Sequence, residues 1–158
     1  MTNLPLEGLR VLAVEQYGAG PFGTQHLADL GAVVIKIENH QSGGDYARAL
    51  GPFFVDGLES HDASLFFQSI NRNKKSLTLD LGNSQARPIF EKLVEGADAV
   101  ANNLRGDVPA KLGLEYNALK HINAAIVCAI VRAMEEMVKG KTGPAMISLC
   151  RLRQATST

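Results

Sequence analysis

This sequence predicts an α/β fold of the Rossmann-like, three-layer kind, with a mainly parallel sheet. Short apolar runs of strand length recur along the chain, and stretches with apolar residues at helical spacing separate them. A glycine-rich turn joins the first of these strands to the first helix.

The elements follow in order. Residues 9–15 (Leu-Arg-Val-Leu-Ala-Val-Glu) form an apolar run before a glycine-rich turn, which suits a buried strand. Pro21 falls where a helix's first turn tolerates proline, and Phe22, His26, Leu27 and Leu30 recur at helical spacing until Gly31 closes the segment. Residues 33–38 (Val-Val-Ile-Lys-Ile-Glu) make a second strand, completing a unit of the size expected for a parallel crossover. Residues 46–70 read as a loop-rich excursion with helical character over 63–70. Residues 76–81 alternate like a strand, and 85–96 place Ile89, Phe90, Leu93 and Val94 on one helical face. A short strand over 98–101, short helices over 108–112 and 115–122, and a last apolar strand over 125–130 complete the pattern.

Composition narrows the classes. With 46% hydrophobic residues among 158, the chain has enough apolar material for one globular core. Lys plus Arg and Asp plus Glu balance at 16 each, so no field favours nucleic acid or an anionic membrane as partner. No basic leader with an apolar core opens the chain and no run reaches membrane-spanning length, which gives a cytoplasmic expectation. Cys128 and Cys150 have neither metal-ligand spacing nor the density of a disulfide framework, and His26, His40, His61 and His121 lie far apart, so no metal is expected.

Residues 18–23 (Gly-Ala-Gly-Pro-Phe-Gly) satisfy G-x-G-x-x-G between a strand and a helix, and Glu38 ends the next strand. Such a turn lets backbone amides approach an anion at a positive helix N-terminus. Three readings stay open on pattern alone: a tight turn with no ligand, a standalone dinucleotide (NAD-type) module, or a site for another nucleotide. Glu38 falls short of the usual acidic spacing, and Pro21 removes an amide a phosphate cradle would use.

Several segments together resemble the N-terminal region of class III CoA-transferases, the formyl-CoA and carnitine-CoA transferase type. They are Pro-Leu-Glu-Gly-Leu-Arg-Val-Leu from Pro5, Ala-Gly-Pro from Ala19, Leu-Ala-Asp-Leu-Gly-Ala from Leu27, Val-Ile-Lys-Ile-Glu from Val34 and Gly44-Asp45. Asn-Arg-Asn-Lys-Lys-Ser from Asn71, Leu-Asp-Leu from Leu79, Ala97-Asp98, Asn103 and Leu-Gly-Leu from Leu112 follow in register. The resemblance runs from about Leu4 to Ala129, which sets the expected boundary: a CoA-binding Rossmann-like domain over 1–129 and a non-homologous tail over 130–158.

The resemblance implies CoA as the ligand, an acyl-CoA and a carboxylic acid as the substrates of the whole protein, and interlocked homodimers that this fragment is not expected to form. By position it also implies that Tyr17, Gly18 and Ala19 line the CoA at the first turn, with Leu79, Asn103, Leu104 and Lys111 further along. The plainer alternatives are core packing for Leu79 and Leu104, a turn role for Asn103 and a solvated charge for Lys111. Where many relatives have a cation, this chain has Asn39 and Gly82; Arg72, Lys74 and Lys75 are the candidates to compensate.

No catalytic residue is assigned. The family's nucleophile is an aspartate in a segment reading about Trp-Pro-Gly-Tyr-Asp-Tyr-Leu-Met-Gln-Ala-Glu, which this chain lacks. The genetic code suggests where it went. Reading the third base of each codon with the first two of the next, Met146 followed by Ile147 must give an aspartate codon. With permitted synonymous codons, 142–157 then reads Trp-Ala-Gly-Tyr-Asp-Phe-Leu-Met-Gln-Ala-Glu-Ala-Gly-Tyr-Leu. Residues from about Ile130 therefore have the form of a one-base frameshift product; as ordinary sequence, 131–139 reads as an amphipathic helix before a frayed end.

Overall fold

The structure, a computed structural model, describes residues 4–56, 63–133 and 147–149. Strands β1 (Arg10–Val14), β2 (Val33–Glu38), β3 (Lys75–Thr78), β4 (Ala99–Asn102), β5 (Val127–Ala133) and β6 (Ile147–Leu149) alternate with α1 (Ala19–Asp29), α2 (Leu65–Asn71), α3 (Arg87–Glu95), α4 (Val108–Lys111) and α5 (Tyr116–Leu119). The strand order is β3-β2-β1-β4-β5-β6. β3 to β5 pair in parallel and β6 runs antiparallel to β5, with Arg132 opposite Ser148. The α/β class and the parallel sheet are as the sequence predicts.

Helix α1 stops where the sequence says it should. Gly31 takes φ +104, its N–H reaches the Ala28 carbonyl at 3.0 Å and the Ala32 N–H reaches that of Leu27 at 3.0 Å, which satisfies two of the helix's last carbonyls. A side chain there would also strike Leu4.

The sheet is sandwiched because alternate residues of each strand enter opposite cores. Leu12, Val14, Ile37 and Val100 pack with Phe90 and Val94 of α3 and Leu119 of α5, whereas Val11, Ala13, Val34 and Ala101 pack with Ala28 of α1. The helical face expected for α1 is corrected here. Phe22 and Leu30 are 54% and 44% exposed, and the buried face is Gly20, Pro21, Thr24, Gln25 and Ala28. Small side chains let the helix lie close to Ala13 and Ala101, and Thr24 is drawn inward because its hydroxyl donates to buried Glu15 at 2.7 Å.

Other boundaries move by a few residues. β3 ends at Thr78, so Leu79 to Leu81 belong to the turn after it, and Ile89 faces solvent at 52% exposure while Phe90 is fully buried. The helix proposed over 131–139 is replaced at its start, because Val131 to Ala133 continue β5; its remainder lies outside the described residues. Among the described residues no helix is long and apolar enough to cross a membrane.

Candidate functional site

Strand order reverses between β1 and β4, and in open α/β sheets ligands bind in the crevice beyond the carboxyl ends of the strands at that point. A cleft of about 270 Å³ opens here. Its walls are the ends of β1 and β2 (Val14, Gln16, Ile37), the turn after β3 (Leu79 to Gly82), and Leu104, Val108 and Leu112 around α4. One side is thus aliphatic and the other is rich in carbonyls and carboxylates, including Glu38, Asp45 and Asp80.

The turn between β1 and α1 borders this cleft through Gln16. Asn103, just past β4, braces it twice: its Oδ1 accepts the Gln16 N–H at 2.9 Å and its Nδ2 donates to the Gln16 carbonyl at 2.8 Å. Gly20 permits that brace, since a Cβ there would stand 2.8 Å from Asn103 Cγ. Gly18 has no such duty, because a Cβ on it meets nothing within 4 Å. Tyr17 adopts φ +67, rare for a residue with a side chain, and its ring stacks on Tyr46 with centroids 5.2 Å apart and planes 8° from parallel.

Of the residues the resemblance singled out, the structure puts Leu79 and Leu104 in the cleft wall, where they also pack against the main core. Tyr17, Gly18 and Ala19 form the turn and first helical residue directly after cleft-lining Gln16. Asn103 sits beneath that turn with its amide already engaged. Lys111 stands apart: α4 turns Val108 and Leu112 to the cleft, and Lys111 pairs with Asp107 at 2.9 Å, both side chains 71% exposed.

The expected compensating cations are corrected by the structure. Arg72 pairs with Asp29 at 2.6 Å, and this hydrogen bond holds the Asp29 carboxyl below its ordinary range. Lys74 is buried, its Nζ 2.9 Å from Glu15 Oε1 and 2.7 Å from the Pro21 carbonyl, and burial lowers its pKa. Lys75 opens β3 opposite Ile35, whereas the cleft lies beyond the strand's other end. The two positions that lack cations are knotted together instead: Asp80 Oδ1 accepts from Asn39 Nδ2 at 3.1 Å and from the Gly82 N–H at 3.0 Å.

Sequence reasoning gave no site role to Asp45, Tyr46 or Arg105. Burial raises the Tyr46 hydroxyl pKa, Tyr17 and Asp45 add to the effect, and the charge of exposed Arg105 opposes it. Arg105 has no ion pair among the described residues, and only its position after β4 could have pointed to it.

Glu38 bears on the dinucleotide alternative. Its carboxylate is buried and accepts from Arg48 at 2.7 and 2.9 Å, from the Asp45 N–H at 2.9 Å and from Ser76 at 2.8 Å. Burial pushes its pKa up, but Arg48 and the other donors outweigh that and hold it at about 2. A carboxylate so fully committed has little capacity left for a ribose hydroxyl. Burial, with Glu115 adding, pushes the Cys128 thiol up to about 11, which disfavours its thiolate at neutral pH. Cys150 lies outside the described residues.

Fold and cleft define an α/β domain of the doubly wound class, open at the carboxyl ends of its strands. The family model for CoA-transferase family III matches residues 6–144, and the chain belongs to that family. It is 38% identical over 141 residues to succinate–glutarate CoA-transferase of Agrobacterium fabrum, covering 89% of this chain and 34% of that protein. With succinyl-CoA:mesaconate CoA-transferase of Haloarcula hispanica it shares 40% identity over 137 residues, 87% of this chain and 34% of the relative. A crystal structure of a CAIB/BAIF family protein from Brucella suis superposes with a TM-score of 0.75 at 37% identity, covering 90% of this chain and 36% of that one. The chain spans about a third of the length of the curated relatives it matches.

Two outcomes follow from this geometry. Gly20→Ala should displace Asn103, break the Gln16 brace and lower the unfolding midpoint, whereas Gly18→Ala should leave that midpoint within experimental error; equal effects in urea titrations would remove the brace from the account. Because the folded pKa of Glu38 lies below its ordinary 4.5, its contribution to stability is full above pH 4.5 and is lost as pH falls toward 2. Glu38→Gln should therefore be less stable at pH 7 and decline less steeply between those limits, as read from urea midpoints across pH.

Proposed function

We propose that this chain is the CoA-binding N-terminal part of a class III CoA-transferase, able to hold a CoA thioester at the β1/β4 crevice but not to transfer CoA alone. The cleft at the switch point is the observation that carries this: Gln16, directly before the glycine turn and the start of α1, borders one side, and an aliphatic wall of Leu79, Leu104, Val108 and Leu112 forms the other. Such a surface suits a ligand that is anionic at one end and largely apolar along its arm. Family membership supports CoA as that ligand.

Binding is expected to be weaker than in relatives with cations at the positions of Asn39 and Gly82. A missing charged hydrogen bond to phosphate is worth about 1.5–3 kcal/mol. The carboxylates lining the cleft offer no ready nucleophile. Glu15, Glu38 and Asp45 are held in internal ion pairs, and Asp80 accepts two internal hydrogen bonds. In the whole protein the attacking carboxylate would come from the segment that residues 142–157 encode in the neighbouring frame, and the interlocked dimer would need the chain that follows it.

Two measurements test this. Calorimetric titration should show CoA binding with NAD at least tenfold weaker; preference for NAD would favour the dinucleotide module, and binding of neither would make the chain an inert remnant. Sequencing the gene beyond the codon for Ala129 should reveal, one base out of frame, an open reading frame through Tyr-Asp-Phe-Leu-Met-Gln-Ala-Glu that continues for at least the length of this chain. The protein from the repaired frame should transfer CoA between acids while the present chain does not. A stop codon before the aspartate would sink the frameshift and leave 130–158 as a genuine tail.

A further inference from the structure

Three consecutive residues of the β1–α1 turn are held by three separate buried or half-buried groups. The Glu15 carbonyl accepts from Lys36 Nζ at 3.1 Å. Gln16 is braced at both backbone atoms by Asn103. The Tyr17 N–H donates to the Asp45 carboxylate, 3.0 Å from Oδ1 and 3.2 Å from Oδ2. The first and third of these groups are one ion pair, with Lys36 Nζ 2.9 Å from Asp45 Oδ2 and neither side chain more than 2% exposed. A single buried charge pair therefore brackets the turn.

We propose that Asp45 is a positioning residue for the nucleotide turn, keeping Tyr17 in a left-handed backbone conformation through a carboxylate that Lys36 neutralises. What the turn binds rests on the CoA reading above; how it is held rests on the fold alone. Tyrosine disfavours φ +67, so without an acceptor for its N–H the residue relaxes toward negative φ. That rotation redirects the Tyr17 ring off Tyr46 and turns the peptide that leads into α1. Asp45 is itself fixed from three sides: its own N–H donates to Glu38 Oε2 at 2.9 Å, Oδ1 caps the Ala47 N–H at 3.0 Å, and Lys36 holds Oδ2. The loop after β2 thereby sets the geometry of the turn after β1.

The test compares the chain with Asp45→Ala, which removes the acceptor of the Tyr17 N–H, and with Val94→Ala, a core substitution remote from the turn chosen to match the loss of thermal stability. Asp45→Ala should weaken CoA binding at least tenfold and speed hydrogen exchange of the Tyr17 amide at least tenfold, while Val94→Ala changes both by less than threefold. If Asp45→Ala does not fold because Lys36 is stranded, Lys36→Met/Asp45→Ala, which removes both charges, takes its place with the same expectation. CoA affinity in the Asp45 variant within twofold of the parent, or matched losses in Val94→Ala, overturns the positioning role and leaves the CoA reading intact. Should the parent not bind CoA, the functional reading fails by itself; the positioning role is then decided by Tyr17 exchange, and an unchanged rate overturns it.

Discussion

Two lysines are buried where the carboxyl ends of β1 and β2 meet the loops above them, and the arrangement of the site depends on how their charges are met. Lys36 points from the middle of β2 toward Asp45, and Lys74 reaches from before β3 to Glu15 at the end of β1, each side chain only 2% exposed. Two cations face two carboxylates, so the cluster is formally neutral. Removing one partner from such a buried set typically costs about 3–5 kcal/mol, because the remaining charge is stranded out of water. The cluster therefore ties four segments that are far apart in sequence: the end of β1, the interior of β2, the loop after it and the segment before β3.

Its consequence for the site is directional. Lys74 also donates to the Pro21 carbonyl and Thr24 to Glu15, so the first turns of α1 are drawn onto the cluster. That pins the start of α1 against the ends of β1 and β2 and accounts for the small, polar inner face of the helix. Cations that a surface view of the sequence would offer to phosphate are thus spent on the fold, and the crevice is left with Asn39, Asp80 and Gly82 hydrogen-bonded to one another.

Strands β1, β2, β4 and β5 were legible because each is a short, mainly apolar run, which a sheet covered on both faces can bury. The stops of α1 at Gly31 and of α3 at Gly96 were legible for a local reason, a glycine where the helix must end. Fewer features of the site could be read. Leu79 and Leu104 were placed by resemblance and line the cleft, yet nothing local separates a cleft leucine from the core leucine each also is. Lys111 was placed by the same means and faces solvent beside Asp107, because a helix as short as α4 offers the cleft only Val108 and Leu112.

The sequence by itself determined the order of elements, the parallel sheet, the glycine turn and the family, since each depends on local periodicity, on backbone freedom at glycine or on motifs kept in register. Tertiary structure alone decided that Lys36 and Lys74 lie inside, that Glu38 is committed to Arg48 and Ser76, and that Asp45 holds Tyr17. The physical reason is that a charge declares its partner only in space: Lys74 and Glu15 are 59 residues apart in the chain and 2.9 Å apart in the fold. No local pattern distinguishes a lysine that will meet phosphate from one that will meet a buried carboxylate.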